Sequence, residues 1–224
     1  MKKIIFLFVL SIIAGTLSAQ NFRLGFQTSP HISWLNSSNG DIENDGTKLG
    51  IRYGLDADLY IAENQRYAIN TGLFVSNHSF KAVYTTGEEF FINDISFDET
   101  TKITYKTNYL EIPLNVKLRS DIFYRMTFYG QFGLSNLFNV SASATTVPNK
   151  LDEDAINDGI SERHIRFYSL SMIMGGGVEY DIGGNTAINM GIQYSNGLTD
   201  VTKIKSLDEN SVFNSLRLVL GVMF

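Results

Sequence analysis

The sequence predicts an all-β protein: an eight-stranded antiparallel up-and-down transmembrane β-barrel following an N-terminal signal peptide. Three observations carry this expectation. Apolar and polar residues alternate with period two in eight separate segments between Phe22 and Phe224. The connections between these segments are alternately short and long. Past the first 20 residues no apolar run approaches the roughly 18 residues of a membrane helix. Yet charged residues are only 18% of the 224, below the roughly 25% of soluble domains.

The first element stands outside the barrel. Lys2 and Lys3 are followed by the apolar stretch Ile4 to Ala14, and the small residues Ser18 and Ala19 precede Gln20. This is the layout of a secretory signal, and about 12 apolar residues fall short of the about 20 that a span needs. Residues 1–19 therefore read as signal and residues 20–224 as one outer-membrane β-barrel domain.

The eight segments follow in order. Phe22, Leu24, Phe26, Thr28, Ile32 and Trp34 share one face of the first; Leu49, Ile51, Tyr53, Leu55, Ala57, Leu59 and Ile61 share one face of the second. The third aligns Tyr67, Ile69, Thr71, Leu73 and Val75, and the fourth Leu110, Ile112, Leu114, Val116 and Leu118. Met126, Phe128, Phe132 and Leu134 form the fifth apolar face; Leu170, Met172, Met174, Val178 and Tyr180 the sixth. Ile188, Met190, Ile192 and Tyr194, then Leu216, Leu218, Leu220, Val222 and Phe224, complete the set. Each is long enough to cross a hydrocarbon layer as a tilted strand of roughly 9–11 residues. Short turns fall at Ala62–Arg66, Arg119–Arg125 and Asp181–Asn185. Longer polar connections are expected at Leu35–Thr47, Lys81–Lys102, Asn139–Arg163 and Gly197–Asn210. An even strand count places both termini on the short-turn side, which is the periplasmic side in such a layout.

Alternation alone does not say which face is wet. A soluble barrel turns its apolar face inward, a membrane barrel outward. Gly54, Gly72, Gly133, Gly175, Gly177, Gly191 and Gly221 lie on the polar faces with Ser and Asn, as a crowded interior requires. The apolar faces are uniformly large. Aromatics gather near their ends, Phe22, Tyr67, Tyr180 and Phe224 at one rim and Trp34, Phe138 and Tyr194 at the other, as two interfacial girdles do. The membrane orientation follows. It puts Arg52, Asp56, Asp58, Glu111, Lys117, Glu179 and Arg217 inside, where unpaired charge is very costly. The expectation is an internal salt-bridge network that holds the barrel closed, because an eight-stranded interior is filled by side chains. A narrow ion or proton path through it is the alternative. Pro113 lacks a ladder donor and predicts a local bulge or bend.

The chemistry of the chain argues against catalysis. A net charge of −5 excludes the basic footprint of a nucleic-acid binder. The absence of cysteine excludes disulfides, a thiolate metal site, a cysteine nucleophile and a lipidated cysteine. No hydrolase, zinc, Walker or dinucleotide pattern is present. His78, after Ser76 and before Ser79, is the place where a Ser–His pairing looks feasible; His31 lies next to Pro30 in the first strand, and His164 in a long loop beside Arg163 and Arg166. The acidic residues Asp152, Glu153, Asp154 and Asp158 do not keep the spacing of a calcium loop. No catalytic residue, cofactor or metal ligand is therefore assigned.

One segment, Tyr109-Leu110-Glu111-Ile112-Pro113-Leu114, resembles the Y-L-E-I-P-L segment of the small outer-membrane β-barrels of Bacteroidetes, the PorT-like or porin-family barrels. Phe224 at the carboxyl end resembles the signal by which outer-membrane barrels are recognised for insertion. The resemblance implies a barrel in the cell outer membrane, with lipid around it and the barrel-assembly machinery as a transient partner. The family's namesake further implies an envelope or secretion-complex partner in the type IX secretion and gliding machinery. The function expected is a structural or interaction role; an accessory barrel of that machinery is the first alternative, and a narrow channel or lipid-modifying enzyme the second.

Overall fold

The computed structural model describes residues 22–37, 42–44, 46–61, 64–85, 90–92, 95–97, 100–146, 165–201 and 211–224. The expected signal segment, the acidic residues Asp152 to Asp158 and His164 lie outside the described residues. The strands are β1 (Phe22–Ser37), β2 (Ile42–Asn44), β3 (Lys48–Tyr60), β4 (Tyr67–Thr85), β5 (Phe90–Ile92), β6 (Ile95–Phe97), β7 (Thr100–Arg119), β8 (Met126–Thr146), β9 (Tyr168–Gly183), β10 (Thr186–Gly197) and β11 (Ser211–Met223).

Eight of them close into a barrel in chain order, β1-β3-β4-β7-β8-β9-β10-β11, every pair antiparallel. Closure joins the first strand to the last: Leu24 N donates to Phe224 O at 3.1 Å and Phe224 N to Leu24 O at 2.7 Å. Closure leaves the wall no edge strand, as lipid demands of backbone polar groups. Three tight turns join β3 to β4, β7 to β8 and β9 to β10. Each carries a residue in the left-handed region, Gln65, Tyr124 and Asn185, and Gly183-Gly184 supply two more such positions in the last.

The period-two faces point as the membrane orientation requires. Phe26, Leu55, Leu114, Phe132 and Leu218 are exposed on the outside, whereas Asp56, Glu111, Lys117 and Arg217 are at most 3% exposed inside. The inward glycines make room for two inward aromatics. A Cβ on Gly177 or Gly191 would meet the Tyr129 hydroxyl at 2.7 or 2.6 Å, and one on Gly72 would meet the Phe74 ring at 2.5 Å. The girdle residues Trp34 and Tyr194 sit with ring centroids 6.3 Å apart, and Phe138 and Tyr168 at 5.5 Å.

Two expectations are corrected. At Pro113 there is no bulge: β7 keeps one register against β4 from Tyr67↔Leu118 to Thr85↔Thr100 and stays paired with β8 through Pro113↔Ser135. The missing N–H merely leaves the β4 ladder without a pair at Gly72 and Leu73, and Thr71 Oγ1 donates to Pro113 O at 2.8 Å beside the gap. The register shift in β7 falls instead between Asn108 and Tyr109, where β8 carries Val140 as an extra residue. The second correction concerns the long connections. β4, β7 and β8 have 19, 20 and 21 residues, about twice the length a crossing needs. Their ladders continue to Thr85↔Thr100 and Ile103↔Thr146, whereas β8 and β9 stop pairing at Phe138↔Tyr168. The stretch expected as a loop at Lys81–Lys102 therefore begins and ends as strand and holds a β5–β6 hairpin, and that at Asn139–Arg163 begins as strand through Thr146. In Lys81–Thr85 the order of residues does not alternate, although Val83 and Tyr84 keep their β propensity.

Candidate functional site

The lumen holds the charged residues in two layers, both crossing between strands distant in sequence. The outer layer is built on Glu111 of β7. Its Oε1 accepts from Arg217 Nη1 (β11) at 2.8 Å and from Ser135 Oγ (β8) at 2.8 Å, and Arg52 Nε (β3) lies 3.1 Å away. Arg52 stacks its guanidinium over the Phe74 ring at 3.3 Å, a cation–π contact that substitutes for lost water. Arg217 is oriented by Ser215, whose Oγ accepts from Nε at 3.2 Å, and by Gln193 at 3.4 Å. One carboxylate thus ties four of the eight strands together.

The inner layer lies six residues along β7, about 20 Å of extended chain, near the short turns. Lys117 Nζ meets Asp58 Oδ2 at 2.6 Å and Glu179 Oε1 at 2.7 Å. Glu179 Oε2 also takes Arg119 Nη2 at 2.7 Å and Arg23 Nη1 at 3.4 Å. Asn70 donates through Nδ2 to both Asp56 and Asp58 at 2.8 Å and accepts from Asn115 at 3.1 Å. Lys117 stands 4.6 Å from the Tyr129 ring centre, and Arg119 5.0 Å from that of Tyr60. Every carboxylate of this layer is buried with a charged or amide partner, the condition under which buried ions persist.

The structure thus places all seven residues of the expected network in the lumen and divides them between the layers. It adds Arg23 and Arg119, which sequence reasoning left out. Their signal was present. Arg119 keeps the inward phase of Glu111, Asn115 and Lys117, and Arg23 that of Gly25; both lie at strand ends, where turn and strand read alike. Of the motif Tyr109–Leu114, Tyr109, Glu111 and Pro113 face inward and are buried, whereas Ile112 and Leu114 face lipid. Phe224 faces outward at the short-turn rim, its ring centre 6.0 Å from that of Phe26.

The Ser–His pairing does form: Ser76 Oγ and His78 Nε2 are 3.2 Å apart. It sits inside the barrel rather than in a cleft. His78 packs against His31, Phe213 and Tyr109 with ring centres 4.7, 5.3 and 5.9 Å away, and its Nδ1 has no hydrogen-bond partner. A nucleophilic site needs that nitrogen held by a carboxylate. Among the described residues no group of three His, Cys, Asp or Glu is placed to hold a metal. The described geometry is that of a plug: ion layers that bind strand to strand across a filled interior.

Several solved outer-membrane barrels are similar to this chain. Neisserial surface protein A shares 14% identity over 91% of this chain and 96% of its own, with a TM-score of 0.47. OprG from Pseudomonas aeruginosa shares 14% over 89% and 94%, with a TM-score of 0.44. Ail, the attachment invasion locus protein of Yersinia pestis, shares 16% over 90% and 98%, with a TM-score of 0.38. Among curated proteins, none matches this sequence. The closed antiparallel wall with an apolar exterior agrees with a sequence match over residues 18–203: the chain belongs to the family described as the outer membrane protein beta-barrel domain, and its place is the outer membrane.

Proposed function

We propose that this barrel is a non-catalytic outer-membrane protein whose role is structural or interactive, presented to partners by the strands that outrun the membrane. The observation that carries the reading is the pairing of a plugged lumen with a projecting sheet. Arg52, Glu111 and Arg217 block one level of the lumen and Lys117, Asp58 and Glu179 another, and an eight-stranded interior leaves little room beside them. β4, β7 and β8 meanwhile continue past the level at which β9 leaves the ladder. In this reading both termini are periplasmic and the projecting sheet is extracellular. Planar-bilayer recording of the purified barrel tests it: no conductance steps are expected, and reproducible steps would restore the narrow channel.

The segment Tyr109–Leu114 supports a second reading, an accessory barrel of an envelope secretion machine, because it resembles the PorT-like barrels and supplies the hub carboxylate Glu111. Co-purification of the tagged protein with a large envelope complex after mild detergent extraction supports it; migration as a free barrel counts against it.

A further inference from the structure

On the outward side of β4 and β7 the apolar band ends abruptly. Leu73 and Val75 are followed in phase by Asn77 and Ser79, and Ile112 and Leu110 by Asn108 and Lys106. The ladders set these residues beside the outward serines of β8, Asn77↔Asn108↔Ser141 in one rung and Ser79↔Lys106↔Ser143 in the next. Asn108 Nδ2 donates to Ser141 Oγ at 2.9 Å, and Asn77, Asn108, Lys106, Ser141 and Ser143 are all exposed. Adjacent strands lie about 4.8 Å apart and adjacent rungs about 7 Å, so amides, hydroxyls and an ammonium cover a patch about 10 Å across. Further out the same strands carry Lys81 and Lys102, and the stretches 77–85, 100–108 and 139–146 contain no acid. Glu43 of β2 stands opposite Val83, six residues beyond Asn77. The long-loop rim of the other strands carries Trp34, Tyr168 and Tyr194 instead.

Next to this patch, within the apolar band, the wall is concave. Phe26, Leu55, Leu73, Val75, Leu110 and Leu220 line an apolar hollow of about 680 Å³ on the lipid side. Val75 and Leu110 belong to the hollow, and Asn77 and Asn108 follow them in phase on the same strands, so hollow and patch form one continuous surface. Its two parts have different chemistry. The hollow suits hydrocarbon. Lys106 stands where hydrocarbon gives way to head groups, among amides and hydroxyls that donate to phosphate oxygens. An apolar segment of another membrane protein would fill the hollow and leave the lysine without a counter-charge. An acylated molecule with an anionic head group fits both parts.

We propose that this surface binds a phosphorylated, multiply acylated lipid of the outer leaflet, with acyl chains in the hollow and phosphate against Lys106, Asn108 and Asn77. The site rests on the orientation proposed above, in which the projecting sheet is extracellular. Native mass spectrometry of the full-length barrel measures it, with bisphosphorylated lipid A, the same lipid A stripped of phosphate, and inorganic phosphate as probes. The phosphorylated lipid should bind more tightly than the stripped one, and inorganic phosphate should not bind. Lys106→Gln should weaken the phosphorylated lipid about fivefold, one surface lysine's share, and leave the stripped lipid unchanged; Lys106→Arg should restore the affinity. Val75→Trp, which fills the hollow, should weaken both lipids. Arg125→Gln removes an exposed charge at the short-turn rim and should change neither. The orientation is read separately. The chain has no cysteine, so Thr85→Cys should react with a membrane-impermeant maleimide on intact cells. No reaction there would remove the orientation and the site with it. Reaction at Thr85→Cys together with equal affinity for the two lipids, binding of inorganic phosphate alone, or an unchanged affinity in Lys106→Gln would overturn the site and leave the orientation standing.

Discussion

Glu111 is a single carboxylate with two guanidiniums and a serine hydroxyl on one oxygen. That geometry fixes what its loss should do. Glu111→Gln keeps the volume and a weak acceptor but strips Arg52 and Arg217 of the buried carboxylate that pairs them. Removing one member of a buried ion pair costs about 3–5 kcal/mol, and urea unfolding in lipid vesicles should show a loss of that size. The double change Glu111→Gln with Arg217→Gln should cost less than the two single costs added, since the second substitution removes the charge the first strands. An unchanged midpoint in Glu111→Gln would mean that the layer is not a structural tie. His78→Ala, by contrast, removes the Ser76 pairing without touching either ion layer, and no lipid-modifying activity should depend on it.

At the scale of the strand, the decisive feature is that adjacent residues live in opposite solvents. In β11, Arg217 is buried and paired, whereas Leu218 is 48% exposed on the lipid face. Leu218→Arg should therefore destabilise the barrel by about 2–4 kcal/mol if it lies at mid-membrane, although the chain already carries an arginine one residue away. Equilibrium unfolding in vesicles measures this, and a change under about 0.5 kcal/mol would contradict the assigned phase of the strand. The same physics explains what could be read in advance. Within the hydrocarbon the two faces of a strand meet different media, so the apolar rows of β3, β7 and β11 are written into the order of residues. Where that contrast is missing from the order of residues, Lys81–Thr85 and Thr100–Lys102 look like loop while pairing as strand. Pro113 lacks a donor toward β4, yet its missing N–H leaves the ladder to β8 intact and no bulge forms.

The whole molecule sets the pairings that no local pattern contains. Membership of the lumenal network followed from the phase of each strand, but that Glu111 meets Arg52 and Arg217, while Lys117 meets Asp58 and Glu179, depends on the stagger of strands up to 106 residues apart. The same closure turns a set of marginal hairpins into a wall in which the first strand bonds the last. Tyr129, Phe74 and two ion layers fill the described interior and tie its strands, and in the proposed function the projecting ends of β4, β7 and β8 meet the partner. All of this depends on the apolar side facing lipid. The chain has no cysteine, so single cysteines along β11 can each carry a nitroxide label without background, and collision with lipid-dissolved oxygen in vesicles reports the medium at each. The account predicts high oxygen collision at Leu216, Leu218, Leu220 and Val222 and low collision at Ser215, Val219 and Met223. The opposite phase, or a profile without alternation, would contradict it.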